Sequence, residues 1–263
     1  MSENLPVVNL LGVCFEGHNK TSLLALINNR IQARRKTLVL SGNIHAFNLA
    51  YEQAWLHDLF SRADVIRVDG AGVRVGARFL GYALPPRMTW ADFVWDLAKF
   101  SAENDYRLFF LGGRPGVADE ATHPLTEKFP NLQIVGCQHG YFHMDDQDLD
   151  NEVVLRRIAD SRPDILIVGM GMPVQERWIT NNWEHLDAPI IMTAGAVFDY
   201  ISGRLQRPAP IFTRNGFEWL GRFLIEPRRL WRRYLIGNPL FFWRIFKQRL
   251  NLWAYHLKLF FKP

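Results

Sequence analysis

The sequence is poor in cysteine. Cys14 and Cys137 are its only two, which argues against a disulfide framework or a cysteine-built zinc site and suits two reduced thiols in a cytoplasmic protein. Long apolar runs are absent too. None reaches the ~18 residues a spanning helix needs, so the chain is expected not to cross a bilayer. The first apolar stretch, Leu5 to Phe15, lacks a basic lead-in and is interrupted by Asn9, so no secretory leader is read there. No glycine-rich loop runs into Gly-Lys-Ser/Thr and none completes G-x-G-x-x-G, which leaves out the P-loop and the usual dinucleotide fingerprint. No Asp-x-Asp pair closes a predicted strand. His139 and His143 flank Gly140-Tyr141-Phe142 and read as a loop rather than a helical metal pair. Asp145, Asp146, Asp148 and Asp150 read as a solvated charge run. No metal and no cofactor is expected.

What is present is a large apolar fraction and a lopsided charge. Hydrophobic residues make up 48% of the 263, ample for a buried core. The net charge is +5, yet Phe217 to Pro263 alone carries ten Lys/Arg against Glu218 and Glu226, a balance of +8, and the remainder carries −3. That tail also holds 13 of the 35 aromatic residues. Basic residues interleaved with Trp, Phe and Leu at helical spacing form the pattern of an interfacial helix, and an anionic membrane surface is the expected partner. A tail packed on the core or on a second copy is the alternative, which leaves a homo-oligomer open. Nucleic acid is not expected, because the tail is rich in aliphatic residues as well as aromatic ones.

Short apolar runs recur at Thr37–Leu40, Val65–Val68, Arg107–Leu111, Leu132–Val135, Ile165–Val168 and Pro189–Thr193. Helical spacing lies between most of them, at Thr21–Arg34, Ala46–Phe60, Ala91–Glu103, Gly116–Phe129, Leu149–Ser161 and Val174–His185. Strands alternating with helices predict an α/β fold, a Rossmann-like, mostly parallel sheet with helices on both faces. The character changes past Gly203. Residues 1–203 are expected to form the catalytic core and 204–263 a helical C-terminal appendage.

Ligands of such sheets bind beyond the carboxyl ends of the strands. The residues found there are Ser41-Gly42-Asn43, Asp69-Gly70, Gly112-Gly113, Gly171 and Gly195. Glycines at strand ends admit a ligand close to backbone, and the N–H groups of the next helix favour anions. Asp69 is the sharpest single candidate. A carboxylate at a strand end can take a proton from an attacking hydroxyl, and it can equally cap the next turn. Arg87, read together with Asp92, offers the planar fork that suits pyrophosphate, against the reading of a solvated Arg before a capped helix. Gln175 and Glu176 fall in a first helical turn facing the cleft, with capping as their alternative. Asp199 reads as structural.

Several motifs together resemble the WecG/TagA/CpsF glycosyltransferases. They are Val68-Asp69-Gly70-Ala71-Gly72-Val73, Arg87 to Asp92, Phe110 to Pro115, Gly140-Tyr141-Phe142, Met170 to Glu176, Gly195 to Asp199, Arg207 to Pro210, Gly216 to Arg222 and Glu226 to Arg229. The resemblance implies a metal-independent, inverting transferase. Its donor would be a UDP-sugar and its acceptor a polyprenyl-diphosphate-linked glycan at the inner face of the cytoplasmic membrane. Asp69 would be the base. Asn43, Arg87 and Gln175 would line the pocket, and Arg222, Arg229 and Arg232 would meet the lipid diphosphate. The sequence departs from the family at His45, Trp90 and Val174, where Glu, Gly and Lys are common, and these changes bear on the donor sugar. Tyr234 to Pro239 is similar to the exopolysaccharide branch. Two other readings compete: a nicotinamide-dependent oxidoreductase and a non-catalytic nucleotide-binding scaffold.

Overall fold

The computed structural model describes residues 5–144, 148–214 and 216–260. Asp145 and Asp146 of the charge run lie outside them. The chain opens with a hairpin of β1 (Val7–Leu10) and β2 (Val13–Glu16), joined at Leu11-Gly12. Leu11 and Gly12 both have positive φ, 54° and 93°, the twist that two-residue hairpin turns need. Alternation puts Val8, Leu10, Val13 and Phe15 inside.

Six parallel strands follow: β3 (Thr37–Gly42), β4 (Val65–Val68), β5 (Arg107–Gly112), β6 (Gln133–Gln138), β7 (Ile165–Gly169) and β8 (Ile190–Thr193). Their spatial order is β4-β3-β8-β7-β5-β6. Successive residues of a strand face opposite sides of the sheet, so each strand feeds two cores. Leu38 and Leu40 enter one cluster and Val39 the other; Leu166 and Val168 enter the first, Ile165 and Ile167 the second. The expected α/β architecture, with helices on both faces and a helical C-terminus, is what forms. One expected helix is two. The run Ala46–Phe60 divides into Ile44–Glu52 and Ala54–Arg62, because Gln53 adopts φ −123°, ψ 110°.

The C-terminal segment folds back over the sheet. Short helices at Pro210–Arg214, Glu218–Ile225 and Pro227–Trp231 lead through a π-turn at Arg232–Ile236 into the last helix, Gly237–Phe260. That helix buries Phe241 and Ile245 in the first core cluster. It seats against the helix Ala71–Phe79, where a Cβ on Gly76 would stand 2.8 Å from the Phe241 ring. Polar ties fix it as well. Asn48 donates to the Gly237 carbonyl at 2.7 Å, Arg244 pairs with Glu52 at 2.6 Å, and Gln248 bonds the hairpin at Asn9 and Leu11. Cys137 is buried and Cys14 exposed, and both are free thiols. Among the described residues, no helix is long and apolar enough to cross a membrane.

Candidate active site

A cleft of about 620 Å³ lies over the carboxyl ends of β4, β3, β8 and β7. Each of those strands contributes at its end: Asp69 after β4, Asn43 after β3, Gly195 after β8 and Gly171 after β7. The Asp69 backbone N–H donates to the Gly42 carbonyl at 2.8 Å, which extends the β3–β4 pairing to the carboxylate. Beneath Asp69 lies Arg67, whose side chain is fully buried and 3.7 Å from it. Burial lowers the Arg67 pKa to about 10, with Asp69 opposing that fall, so the guanidinium stays charged at neutral pH. It donates to the Met88 carbonyl and, at 2.9 Å, to Ser41 Oγ, and it lies over the Trp90 ring. A buried charge needs partners of this kind. The result is a rigid cationic floor under a carboxylate that keeps a quarter of its side-chain surface open.

Ser41 lines the cleft, and its hydroxyl is engaged internally. It donates to the Thr193 carbonyl at 2.7 Å and accepts from Trp90 Nε1 at 3.0 Å. Asn43 caps the helix Ile44–Glu52 through the Ala46 N–H at 3.1 Å. Gln175 is buried, and its Oε1 accepts from the N–H groups of Gly171 at 3.2 Å and Gly195 at 3.0 Å. Its Nε2 donates to Glu176 at 2.7 Å. One amide thus ties the β7 and β8 loops together. Glu176 lies fully buried below, one carboxyl oxygen without a partner, and burial pushes its pKa up to about 7 while the Gln175 bond opposes this.

A second cleft of about 520 Å³ lies over β8, β7, β5 and β6, and it shares Gly171, Gly195, Ala196 and Arg229 with the first. Gly113 lines it. Gly112 does not; it is buried where a Cβ would fall 2.2 Å from the Gly169 carbonyl oxygen, so its role is the close approach of β5 to β7. Arg114, Arg204 and Arg229 line this cleft with Asp199 and Glu226; Arg204 pairs with Glu120 at 2.5 Å and Arg229 with Glu226 at 2.6 Å. A third cleft, about 600 Å³, runs from Asp69 between the helix Ala71–Phe79 and the C-terminal segment.

The C-terminal segment roofs the central cleft with arginines. Arg222 and Arg229 line it. Arg232 lines it too but is exposed, with its guanidinium over Trp231. The following residue, Arg233, is the deeper one. Burial pulls its guanidinium below the ordinary value, Asp69 opposes that, and the nearby Arg222 and Arg229 add to it. Arg222 sits over the Tyr200 ring, and its Nε and the Tyr200 hydroxyl are both buried with no hydrogen-bond partner among the described residues. Unsatisfied donors beside clustered cations form a ready site for an anion.

Two expected residues are spoken for elsewhere. Arg87 pairs with Glu218 at 2.9 Å, donates to the Thr213 carbonyl and lines only the third cleft. Asp92 is held by both Arg207 nitrogens at 2.6 and 2.7 Å and by Thr89 at 2.8 Å, and Arg207 with Thr89 keeps its carboxyl ionised below the usual range. The sequence reading passed over Arg67, Tyr200, Glu218 and Arg233, and met His45 only as a departure from the family pattern. His45 lines the central cleft, and burial with Arg233 nearby lowers its pKa to about 4, so its imidazole is neutral. His143, Asp148 and Asp150 cluster with a closest N–O distance of 3.0 Å. They are largely exposed and line none of the three clefts.

The sequence matches the profile of the Glycosyl transferase WecG/TagA/CpsF family over residues 8–255. It is 29% identical over 255 residues to the N-acetylglucosaminyldiphosphoundecaprenol N-acetyl-beta-D-mannosaminyltransferase of Staphylococcus aureus strain COL, covering 95% of this chain and 96% of that one. The protein of the same name from Staphylococcus aureus strain MW2 matches with the same identity and coverage.

Proposed function

This chain belongs to the WecG/TagA/CpsF family of glycosyl transferases, and from that premise we propose that it moves a sugar from a UDP donor onto a polyprenyl-diphosphate-linked sugar, with inversion. The observation that carries the reading is the meeting, in one cleft, of an open carboxylate with a cationic roof: Asp69 faces Arg222 and Arg233, and among the described residues Arg222 Nε has no hydrogen-bond partner. The relatives' name describes transfer to a diphosphoundecaprenol-linked N-acetylglucosamine, and a diphosphate is the anion such a cationic roof suits.

The nucleotide takes the second cleft, where glycine loops admit a ligand close to the backbone and Arg114 supplies positive charge, Arg204 and Arg229 being paired with Glu120 and Glu226. The acceptor enters the central cleft with its hydroxyl at Asp69. The carboxylate accepts the hydroxyl proton as that oxygen bonds to the donor's anomeric carbon. The carbon–oxygen bond to UDP breaks, and UDP leaves with the electron pair. One displacement inverts the anomeric centre and needs no covalent enzyme intermediate. Arginines and backbone amides receive the charge of the leaving diphosphate, so the step asks for no metal ion.

A thermal-shift panel of UDP-sugars, followed by transfer to a polyprenyl-diphosphate-linked N-acetylglucosamine, tests this. A binding donor raises the melting temperature and then supports transfer, and chelator leaves the rate unchanged. Absence of any stabilising UDP-sugar, or strict dependence on added Mn²⁺ or Mg²⁺, refutes it.

A further inference from the structure

The third cleft begins where the central one ends. Asp69, Arg222 and Arg233 line both. Its other walls change character. Val75 comes from the helix Ala71–Phe79, Phe217 and Trp219 from the start of Glu218–Ile225, and Leu235, Pro239 and Phe242 from the π-turn and last helix. Trp219 packs on Tyr234 at 5.7 Å between ring centres. Val75, Phe217 and Leu235 are each more than half exposed. Apolar side chains gathered on a groove and left to water signal a missing apolar partner.

The polarity gradient identifies the partner. Two arginines stand beside the proposed base, Arg87 and Glu218 are closed on each other at 2.9 Å, and Val75, Phe217, Trp219, Leu235, Pro239 and Phe242 give the groove an apolar stretch. A nucleobase or a sugar would leave the apolar stretch unmatched, and a sugar would lose hydration against it for little return. An amphiphile with an anionic head and a flexible hydrocarbon chain matches both ends at once. We infer that this groove takes the first isoprene units of the acceptor lipid, with the diphosphate held at Arg222 and Arg233. The inference rests on the acceptor named under the proposed function. It goes further in giving the lipid a protein-built track, so that the chain adds to recognition before it reaches any bilayer. Leu224, Trp231 and Trp243 are exposed as well, but none of them lines the groove.

The test uses the full chain in aqueous solution without vesicles. Equilibrium binding of farnesyl diphosphate is compared with that of methyl diphosphate. The farnesyl compound is expected to bind at least roughly tenfold tighter, the scale on which a few buried methylenes act. Val75→Asn and Leu235→Asn, which add polarity without charge near the arginines, should each erase most of that preference while leaving methyl diphosphate affinity within a few-fold of wild type, and both sites are exposed enough for the fold to tolerate the change. Equal affinity in the wild type overturns the inference. So does a preference that survives in both variants, even where the same variants release the protein from vesicles, since the apolar patch would then serve only a bilayer. A farnesyl preference with no transfer to any polyprenyl-linked acceptor would count against the proposed reaction and not against the groove.

Discussion

At the scale of single residues, the arrangement around Asp69 concentrates charge on a rigid support. The carboxylate is fixed by its own N–H to Gly42 and stands over the fully buried Arg67. Asp69→Asn should keep the melting temperature near wild type and lower transfer by ~100-fold or more, the usual scale for losing a general base; turnover within a few-fold of wild type would make Asp69 structural. Glu176 makes a prediction about pH. Its pKa of about 7 lies above the ordinary 4.5, so the folded state holds the proton more tightly than the unfolded one. The stability this contributes is full below about 4.5 and is lost as pH rises through about 7, on the order of 3 kcal/mol. Glu176→Gln should flatten denaturation midpoints between those limits, and an unchanged slope would refute the assignment. Asp69, Gln175 and Arg222 were legible in the sequence because glycine punctuation and motif order mark them. Arg67 was not, since it sits inside an apolar run, yet a charge two residues before a strand-end carboxylate was a usable signal: central parallel strands are buried on both faces. Arg233 was hidden for a different reason. The π-turn at Arg232–Ile236 shifts the helical phase, and no residue pattern announces that shift.

At the scale of elements, the six strands of the parallel sheet could be read from apolar runs ending in Gly, Ser or Asp. Boundaries moved by up to three residues, as at Leu132–Val135, which forms as Gln133–Gln138. The hairpin β1–β2 escaped because two four-residue strands resemble one short apolar stretch. The division at Gln53 escaped because neither Gly nor Pro marks it. The seat of the last helix depends on one missing side chain. Gly76→Val would place its Cβ 2.8 Å from Phe241 and should cost about 1–3 kcal/mol, the range for overpacking. Phe241→Ala should cost about 3–5 kcal/mol, because its fully buried ring leaves a cavity. Urea denaturation measures both. Near-neutral values would mean that the helix does not rest on this contact.

At the scale of the whole molecule, the C-terminal segment carries the roof of the cleft on one side and a basic, aromatic exterior on the other. Leu224, Trp231 and Trp243, with the cations Arg228 and Lys247, are exposed and line none of the three clefts, and Lys247 lies over the Trp243 ring. Each cation near an anionic leaflet contributes about 1 kcal/mol, and salt screens that part while apolar insertion resists it. The full chain should co-sediment with anionic vesicles at low salt and only partly detach at high salt, and Trp243→Glu should weaken the salt-resistant fraction. Protein that stays in the supernatant at low salt would show that this face does not dock on membranes. Truncation after Gly216 is a poorer probe, since it also removes Phe241 and Ile245 from the core.

The strand order has a consequence for how the molecule is made. β8 is the last strand of the sheet to be synthesised, and it lies between β3 and β7. Until Ile190–Thr193 leaves the ribosome, β4-β3 and β7-β5-β6 are two separate ribbons, each with an unpaired inner edge. Such edges invite pairing with other chains, and non-local closure of this kind is slow. Nascent chains that stall before Pro189 should therefore be prone to aggregation, and arrival of one four-residue strand should convert two half-sheets into a single folded unit.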